Sequence, residues 1–215
     1  MKILCDFDGT TAKNDVGNLF FRTFAGERCY DIVQRWKEGK ISSKECLIQE
    51  CEMARITKAE FEIFVDEQEL DPFFPEFVHF FCAHGIEIEI VSDGFDFYVD
   101  RIIKNHDLDA LVATYANRVV FQDHNRIAAE FPYFEEGCGR CANCKGFHVR
   151  RARQEAQTVA YVGDGLSDRC GAREADIVFA KTGRDLLLFC QEERIDHFEF
   201  RNFQEVRTIL ERSLK

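Results

Sequence analysis

The sequence predicts an α/β fold: a three-layer, Rossmann-like parallel sheet with a helical segment inserted into it. Three observations carry this reading. Apolar runs at Ile3–Cys5, Ile86–Val91 and Thr158–Val162 each close in a short polar or glycine-containing turn. Helix-like stretches separate the later runs, and strands alternating with helices build parallel sheets. Residues 12–70 hold almost no strand signal, so they form an insertion after the first strand. The expected division is a core of residues 1–11 and 72–215 and a helical cap of residues 12–71.

The first strand is expected at Lys2–Phe7, and helices follow at about Val16–Glu38, Ser43–Ala54 and Lys58–Glu67. Gly39 suits a helix stop, and Ser42 with Glu45 suits a capping box. The stretch Asp71-Pro72-Phe73-Phe74-Pro75 breaks the pattern and reads as a hinge back to the core. A helix at Glu76–His84, stopped by Gly85, leads to the strand Ile86–Val91 and a helix at Phe95–Asn105. Val119–Phe121 and Arg126–Ala128 alternate across Gln122–Asn125 as a hairpin. A helix starts near Lys145, and Thr158–Val162 is a buried strand. Short strands at Asp176–Phe179 and His197–Phe200 flank a helix near Arg184–Glu192, and a last helix covers Phe203–Ser213.

The chain has 215 residues, 46% of them hydrophobic and 31% charged, which is globular composition. A net charge of -11 argues against nucleic acid and anionic membranes as partners, since both need a basic face. No signal peptide or membrane span is expected. Ten cysteines without a secretory signal predict reduced thiols in a cytoplasmic protein. Most, such as Cys5, Cys82 and Cys170, read as small packing residues.

Four segments carry chemistry. Asp6 and Asp8 are two apart at the end of the first strand, so on an extended chain they share a face. The carboxyl ends of such strands are where open α/β sheets bind ligands. Paired carboxylates stay ionised only beside a cation; otherwise one holds a proton. Ser92 closes the second strand, and the amides of Asp93 and Gly94 are expected to open the next helix as an anion cradle; an N-cap serine is the plainer reading. Gly163-Asp164-Gly165-Leu166-Ser167-Asp168 repeats the strand–glycine–aspartate pattern. Asp164 is a candidate metal ligand with Asp6, and Asp168 a candidate support, against turn chemistry for Asp164 and an N-cap role for Asp168. Lys145 at a helix start opposes the helix dipole unless it neutralises an anion.

In this order, Asp6-Phe7-Asp8-Gly9-Thr10, Ser92, Lys145 and Gly163-Asp164-x-x-x-Asp168 resemble the haloacid dehalogenase superfamily of phosphohydrolases. The resemblance implies a helical cap at residues 12–71 and a Mg²⁺ cofactor. It implies that Asp6 attacks phosphorus to form an aspartyl-phosphate. Asp8 would protonate the leaving oxygen and then activate water. Ser92, Asp93, Gly94 and Lys145 would hold the phosphoryl oxygens. Asp6, Asp164 and the backbone carbonyl of Asp8 would bind the metal, with Asp168 supporting. An acid at Asp8 is unlike superfamily dehalogenases and ATP-driven pumps. Segments 35–46 and 90–99 are similar to the phosphoserine phosphatase-like branch that holds the methionine-salvage phosphatase of 2-hydroxy-3-keto-5-methylthiopentenyl-1-phosphate. A small phosphorylated metabolite is therefore the expected substrate. Phosphoserine hydrolysis, or phosphotransferase or phosphomutase chemistry with the same nucleophile, are the alternatives, and a non-enzymatic phosphate-binding protein is a third reading that Asp6 and Asp8 oppose.

Arg22, Arg28, Arg35, Trp36, Glu50 and Arg55 are the candidate specificity residues of the insertion, against the plainer reading of a solvated helix face. Cys138, Cys141 and Cys144, at x₂ spacing before Lys145, are read as reduced packing thiols. A structural Zn²⁺ is the alternative if His124, His148 or Cys170 folds close enough to be a fourth ligand, and a redox role is a third.

Overall fold

The structure, a computed structural model, describes residues 1–214. The order is β1 (Lys2–Cys5), α1 (Val16–Phe24), α2 (Cys29–Lys37), α3 (Ser43–Met53), α4 (Lys58–Asp66), α5 (Phe74–Ala83), β2 (Glu87–Phe95), α6 (Asp96–Asn105), β3 (Val112–Phe121), β4 (Ile127–Glu130), α7 (Lys145–Ala152), β5 (Val159–Gly163), α8 (Arg169–Glu174), β6 (Ile177–Lys181), α9 (Asp185–Glu193), β7 (Phe198–Phe200) and α10 (Phe203–Leu210). Among the described residues, no helix is long and apolar enough to cross a membrane.

The strands form one sheet ordered β4-β3-β2-β1-β5-β6-β7. Every pairing is parallel except the β3–β4 hairpin. The chain moves one way from β1 to β2 and the other way to β5. That switch point leaves a crevice at the carboxyl end of β1.

Alternation along the strands splits the core into two faces. Ile3 and Cys5 pack with Ile88, Ile90 and Val162 under α5, α6 and α10, whose buried faces carry Phe77, Tyr98 and Phe203. Leu4, Val91 and Tyr161 point to the other face and pack on Val149 and Ala152 of α7. These are the three layers.

Helices α1 to α4 lie between β1 and α5, as the missing strand signal predicts. A two-stranded neck ties their ends: Ala12 bridges Leu70, and the Lys13 amide donates to the Glu69 carbonyl at 2.9 Å. The insertion shares its core with the body. Phe20 stacks on Phe61 at 4.2 Å, and Phe61 meets Phe97 of α6 at 4.7 Å. Aromatic pairs of this kind contribute about 0.5–1.5 kcal/mol each beyond area burial. Arg101 grips Asp66 through two hydrogen bonds of 2.6 and 2.7 Å.

The capping box at Ser42 and Glu45 forms as predicted, and a second forms at Thr57 and Glu60. Three expectations change. The single helix over Val16–Glu38 is two helices, because the chain turns at Gly26 with φ of +77°. The first strand stops at Cys5, and Phe7–Thr11 form a tight turn whose Asp8 and Gly9 are not helical. Strand β3 begins at Val112, well before the predicted hairpin, and Ile88–Val91 pair with Val112–Tyr115. Val112, Thr114 and Tyr115 favour a strand, but Ala113, Ala116 and Asn117 interrupt the pattern, and pairing with β2 supplies the rest.

Candidate active site

The site grows from the turn after β1. Asp6 continues the extended chain with ψ of 158°, and Gly9 then turns it at φ of +75°. A Cβ at Gly9 would lie 2.6 Å from an Asp164 carboxylate oxygen, so glycine is required there on both counts. The Thr11 hydroxyl donates to the Asp6 carbonyl at 2.7 Å and holds the turn. Asp6 and Asp8 both line one cavity of about 340 Å³. A tight turn brings them there, which corrects the expectation of alternation along one strand.

Lys145 is the first residue of α7 and is buried. Its Nζ donates to Asp6 Oδ1 at 2.5 Å, Asp168 Oδ1 at 2.7 Å and Ser167 Oγ at 2.7 Å. The carboxylates hold the ammonium well above its ordinary range against the opposing effect of burial. Burial, with the charge of Asp168 next, pushes Asp6 up.

Asp168 is fully bonded. Tyr161 Oη and Lys145 Nζ reach its Oδ1, and the amides of Asp164 and Gly165 donate to its Oδ2 at 2.8 and 2.7 Å. Asp168 does not line the cavity, whereas Asp164 does. Asp6, Asp164 and Asp168 each offer an oxygen within 4.8 Å of the others. Burial, then the Asp168 charge, pushes Asp164 up to about 7. This crowd of hard oxygen donors, with more carboxylates than cations, suits a hard divalent cation.

The Asp8 carboxylate stands outside that group, so its expected metal role rests on its backbone carbonyl alone. Its Oδ2 accepts from Tyr98 Oη at 2.7 Å and Ser92 Oγ at 3.2 Å, and its Oδ1 from the Gly17 amide at 3.0 Å. Burial, then the nearby Asp15, pushes it up to about 6. An acid poised there can both give and take a proton near neutrality.

Ser92 is buried and its Oγ donates to Asp8, but it does not itself line the cavity. Asp93 and Gly94 do not open a helix: they lie in the irregular end of β2, where the register with β3 shifts between Val91 and Phe95. The Gly94 amide donates to Ser92 Oγ at 2.9 Å, and Asp93 Oδ1 accepts from the Asn143 amide at 2.6 Å. Both residues still line the cavity. A Cβ at Gly94 would fall 1.5 Å from Tyr98 Oη.

The insertion supplies the opposite wall: Phe21, Val33, Trp36, Cys46, Leu47 and Glu50 line it. Burial pushes Glu50 up to about 8, and the Cys46 thiol donates to it. Trp36 and Glu50 are therefore at the cavity, but Arg22, Arg28, Arg35 and Arg55 are not. Arg22 covers the Tyr30 ring at 4.8 Å, Arg28 is exposed at the start of α2, Arg35 reaches Gln49, and Arg55 caps the carbonyls of Glu52 and Ala54.

Besides the apolar wall residues Phe21, Val33, Cys46 and Leu47, sequence reasoning missed four polar contributors. Tyr98 lies one turn after Gly94. Lys181 ends β6 and donates to the Gly9 carbonyl at 2.6 Å. Asn143 clamps the carbonyls of Ser92 and Tyr115, each at 2.9 Å. Ser43 lines the cavity; its Oγ accepts from the Ala142 amide at 2.7 Å and donates to the Arg140 carbonyl at 3.4 Å. Only the lysine at a strand's carboxyl end had a readable signal. The Cys138, Cys141 and Cys144 sulfurs gather with that of Cys170, not with a histidine. His148 bonds Asn143 Oδ1 instead, at 2.6 Å. Cys170 is thus not the isolated packing residue expected.

Residues 1–205 match the family described as Putative Phosphatase. The bifunctional enzyme MtnB/MtnX of Bacillus licheniformis is 32% identical across 97% of this chain, which spans 49% of that relative's length. A 2-hydroxy-3-keto-5-methylthiopentenyl-1-phosphate phosphatase of Brevibacillus brevis is 30% identical across 97% of this chain and 94% of its own. A solved phosphoserine phosphatase, captured as a phospho-aspartyl intermediate analogue, superposes with a TM-score of 0.74 at 21% identity, covering 97% of each chain. The chain belongs to this phosphatase family: it is a phosphoric monoester hydrolase with the haloacid dehalogenase fold, close to the methionine-salvage phosphatases.

Proposed function

We propose that the protein is a Mg²⁺-dependent phosphatase that hydrolyses a small phosphate monoester through an aspartyl-phosphate on Asp6. Residues 12–71 act as its cap over a core of residues 1–11 and 72–215. The observation that carries this reading is the buried Asp6–Lys145 pair beside an independently bonded Asp8, facing one shared cavity. Asp6 would attack phosphorus as the ester P–O bond breaks. Asp8 would pass its proton to the leaving oxygen. It would then take a proton from the water that attacks the aspartyl-phosphate, and free phosphate would depart with Asp6 restored. Lys145, Ser92 and the backbone at Asp93 and Gly94 would hold the phosphoryl oxygens, which is the positioning and charge neutralisation that phosphoryl transfer needs. Asp6, Asp164 and the Asp8 carbonyl would hold Mg²⁺, whose charge would offset that of the phosphate and the carboxylates. Asp168 would orient Lys145 and the Asp164 backbone.

Within this class the enolic methylthiopentenyl phosphate is the favoured substrate. An apolar thioether tail suits Phe21, Val33, Trp36 and Leu47. Phosphoserine, the second reading, needs a cation for its carboxylate; the four insertion arginines sit outside the cavity, which leaves Lys37 and Arg184 as the lining cations besides Lys145. The test is a turnover screen over phosphate monoesters with Mg²⁺ and after chelation. The salvage substrate should lead phosphoserine and a plain aryl phosphate in kcat/KM. A tenfold lead for phosphoserine, about 1.4 kcal/mol of transition-state preference, overturns the substrate assignment. Full turnover after chelation overturns the metal.

A further inference from the structure

We propose that Cys138, Cys141, Cys144 and Cys170 form a tetrahedral structural Zn²⁺ site that locks Lys145 and Asp168 together from behind. The four sulfurs all lie within 4.8 Å of one another, and Cys141 and Cys170 are 4.0 Å apart. Zinc–thiolate bonds of about 2.3 Å place sulfurs at the corners of a tetrahedron with edges of about 3.8 Å. A disulfide would draw one pair to about 2.05 Å and leave the other two sulfurs without a role. The observed spacing lets four thiolates share one ion with a contraction of no more than about 1 Å along any edge. All ten cysteines are free.

The surroundings fit as well. The Cys141 amide donates to the Cys138 sulfur at 3.4 Å, and the Phe147 amide donates to the Cys144 carbonyl at 3.0 Å. The amide donor aimed at the Cys138 sulfur would offset thiolate charge in the way outer partners tune any metal ligand. The segment of residues 131–144 has no helix or strand, although it joins β4 to α7 and reaches the site. A stretch of that length needs something to order it. The burial is graded, with Cys138 exposed and Cys144 buried, which leaves an entry path from solvent.

The ion would act on position, not chemistry. Cys144 directly precedes Lys145, and Cys170 follows Asp168 by two residues, at the start of α8. The α7 and α8 backbones already touch: a Cβ at Gly146 would lie 2.9 Å from the Cys170 carbonyl oxygen. Binding releases the thiol protons as each sulfur bonds the ion, and Zn²⁺ itself undergoes no redox change.

The test is elemental analysis of the full chain, produced without a metal-binding tag and dialysed against zinc-free buffer. About one zinc per chain is expected. Cys138→Ser and Cys170→Ser should each lower it at least fivefold, while Asp164→Ala should retain it. Replacement by Co²⁺ should give the intense visible bands of tetrahedral thiolate coordination, a readout that needs no folded variant. Zinc below about a tenth per chain, iron in its place, zinc that persists in both cysteine variants, or a Co²⁺ spectrum without thiolate bands would overturn the site.

Discussion

The floor and the roof of the cavity are built on opposite principles. The floor is charged and over-determined. Asp6, Asp8 and Lys145 hold fixed partners, and the backing Asp168 has every oxygen direction filled. The roof combines an apolar wall of Phe21, Val33, Trp36, Cys46 and Leu47 with a few polar groups, among them the buried acid Glu50 and the cation Lys37, and no insertion arginine turns inward. Charge on the floor must be placed to fractions of an ångström, because buried charges are costly when unpaired and potent when aimed. The roof needs only shape and polarity that match a substrate's remainder, and such pockets discriminate by modest amounts. Reaction type should therefore follow the floor and substrate preference the roof.

The sharpest break in this division would come from Asp6→Asn. It should reduce kcat about 10⁴-fold or more while far-UV circular dichroism stays unchanged. A purified variant free of deamidation that turns over at the wild-type rate would remove Asp6 from the chemistry.

Next in size is the contrast between two floor aspartates. Asp168→Ala removes one of the two carboxylates on Lys145 and strands Tyr161 and two amides, so it should cost about 3–5 kcal/mol of stability. Asp164→Ala should leave the melting temperature nearly unchanged and weaken Mg²⁺ affinity about 100-fold. Thermal melts and Mg²⁺ titrations of both variants would check this, and the reverse pattern would exchange their roles.

Trp36→Ala should leave the floor intact. For a substrate with an apolar tail, kcat/KM should fall roughly 10- to 100-fold, the effect of about 1–3 kcal/mol of pocket contact. For a phosphate ester without such a tail it should fall less than about threefold. Equal losses on both would mean that Trp36 acts on the floor.

The smallest expected effect concerns Glu50. Its value is raised by burial to about 8, above an unfolded value near 4.5. A raised carboxyl contributes stability that is fully present below the unfolded value and is lost as pH rises through about 8. Glu50→Gln removes that titration. The variant should melt near wild type at pH 5 and at least 2–4 °C above it at pH 9, a difference of about 1 kcal/mol. Parallel melting curves from pH 5 to 9 would mean that Glu50 is already charged in the folded protein.

Much of the floor was legible because its residues sit at strand ends, where short apolar runs mark the strands and ordered Asp, Ser and Lys mark the crevice. The insertion was legible through the absence of strand signal and the Ser42–Glu45 capping pair. The roof arginines were not, because a helix-borne charge reads the same whether it faces a cavity or solvent. Trp36 and Glu50 turn inward, whereas Arg35 beside Trp36 turns out to Gln49. A one-residue step on a helix is a rotation of roughly 100°, and only packing decides which residue it favours.

By itself, the sequence determined the α/β class, the insertion after the first strand, and the four segments that meet at the site. Those are local properties: periodicity, caps, and side-chain chemistry at element ends. Tertiary structure alone decided the rest. It broke the first insertion helix at Gly26, carried β2 through Asp93 and Gly94 as an irregular strand end, and moved Tyr98 and Asn143 into the site. It also chose Cys170, 26 residues beyond Cys144 in sequence, to join the three-cysteine loop in place of either histidine. Such choices depend on contacts between segments distant in the chain, and no local pattern encodes which distant partner will arrive.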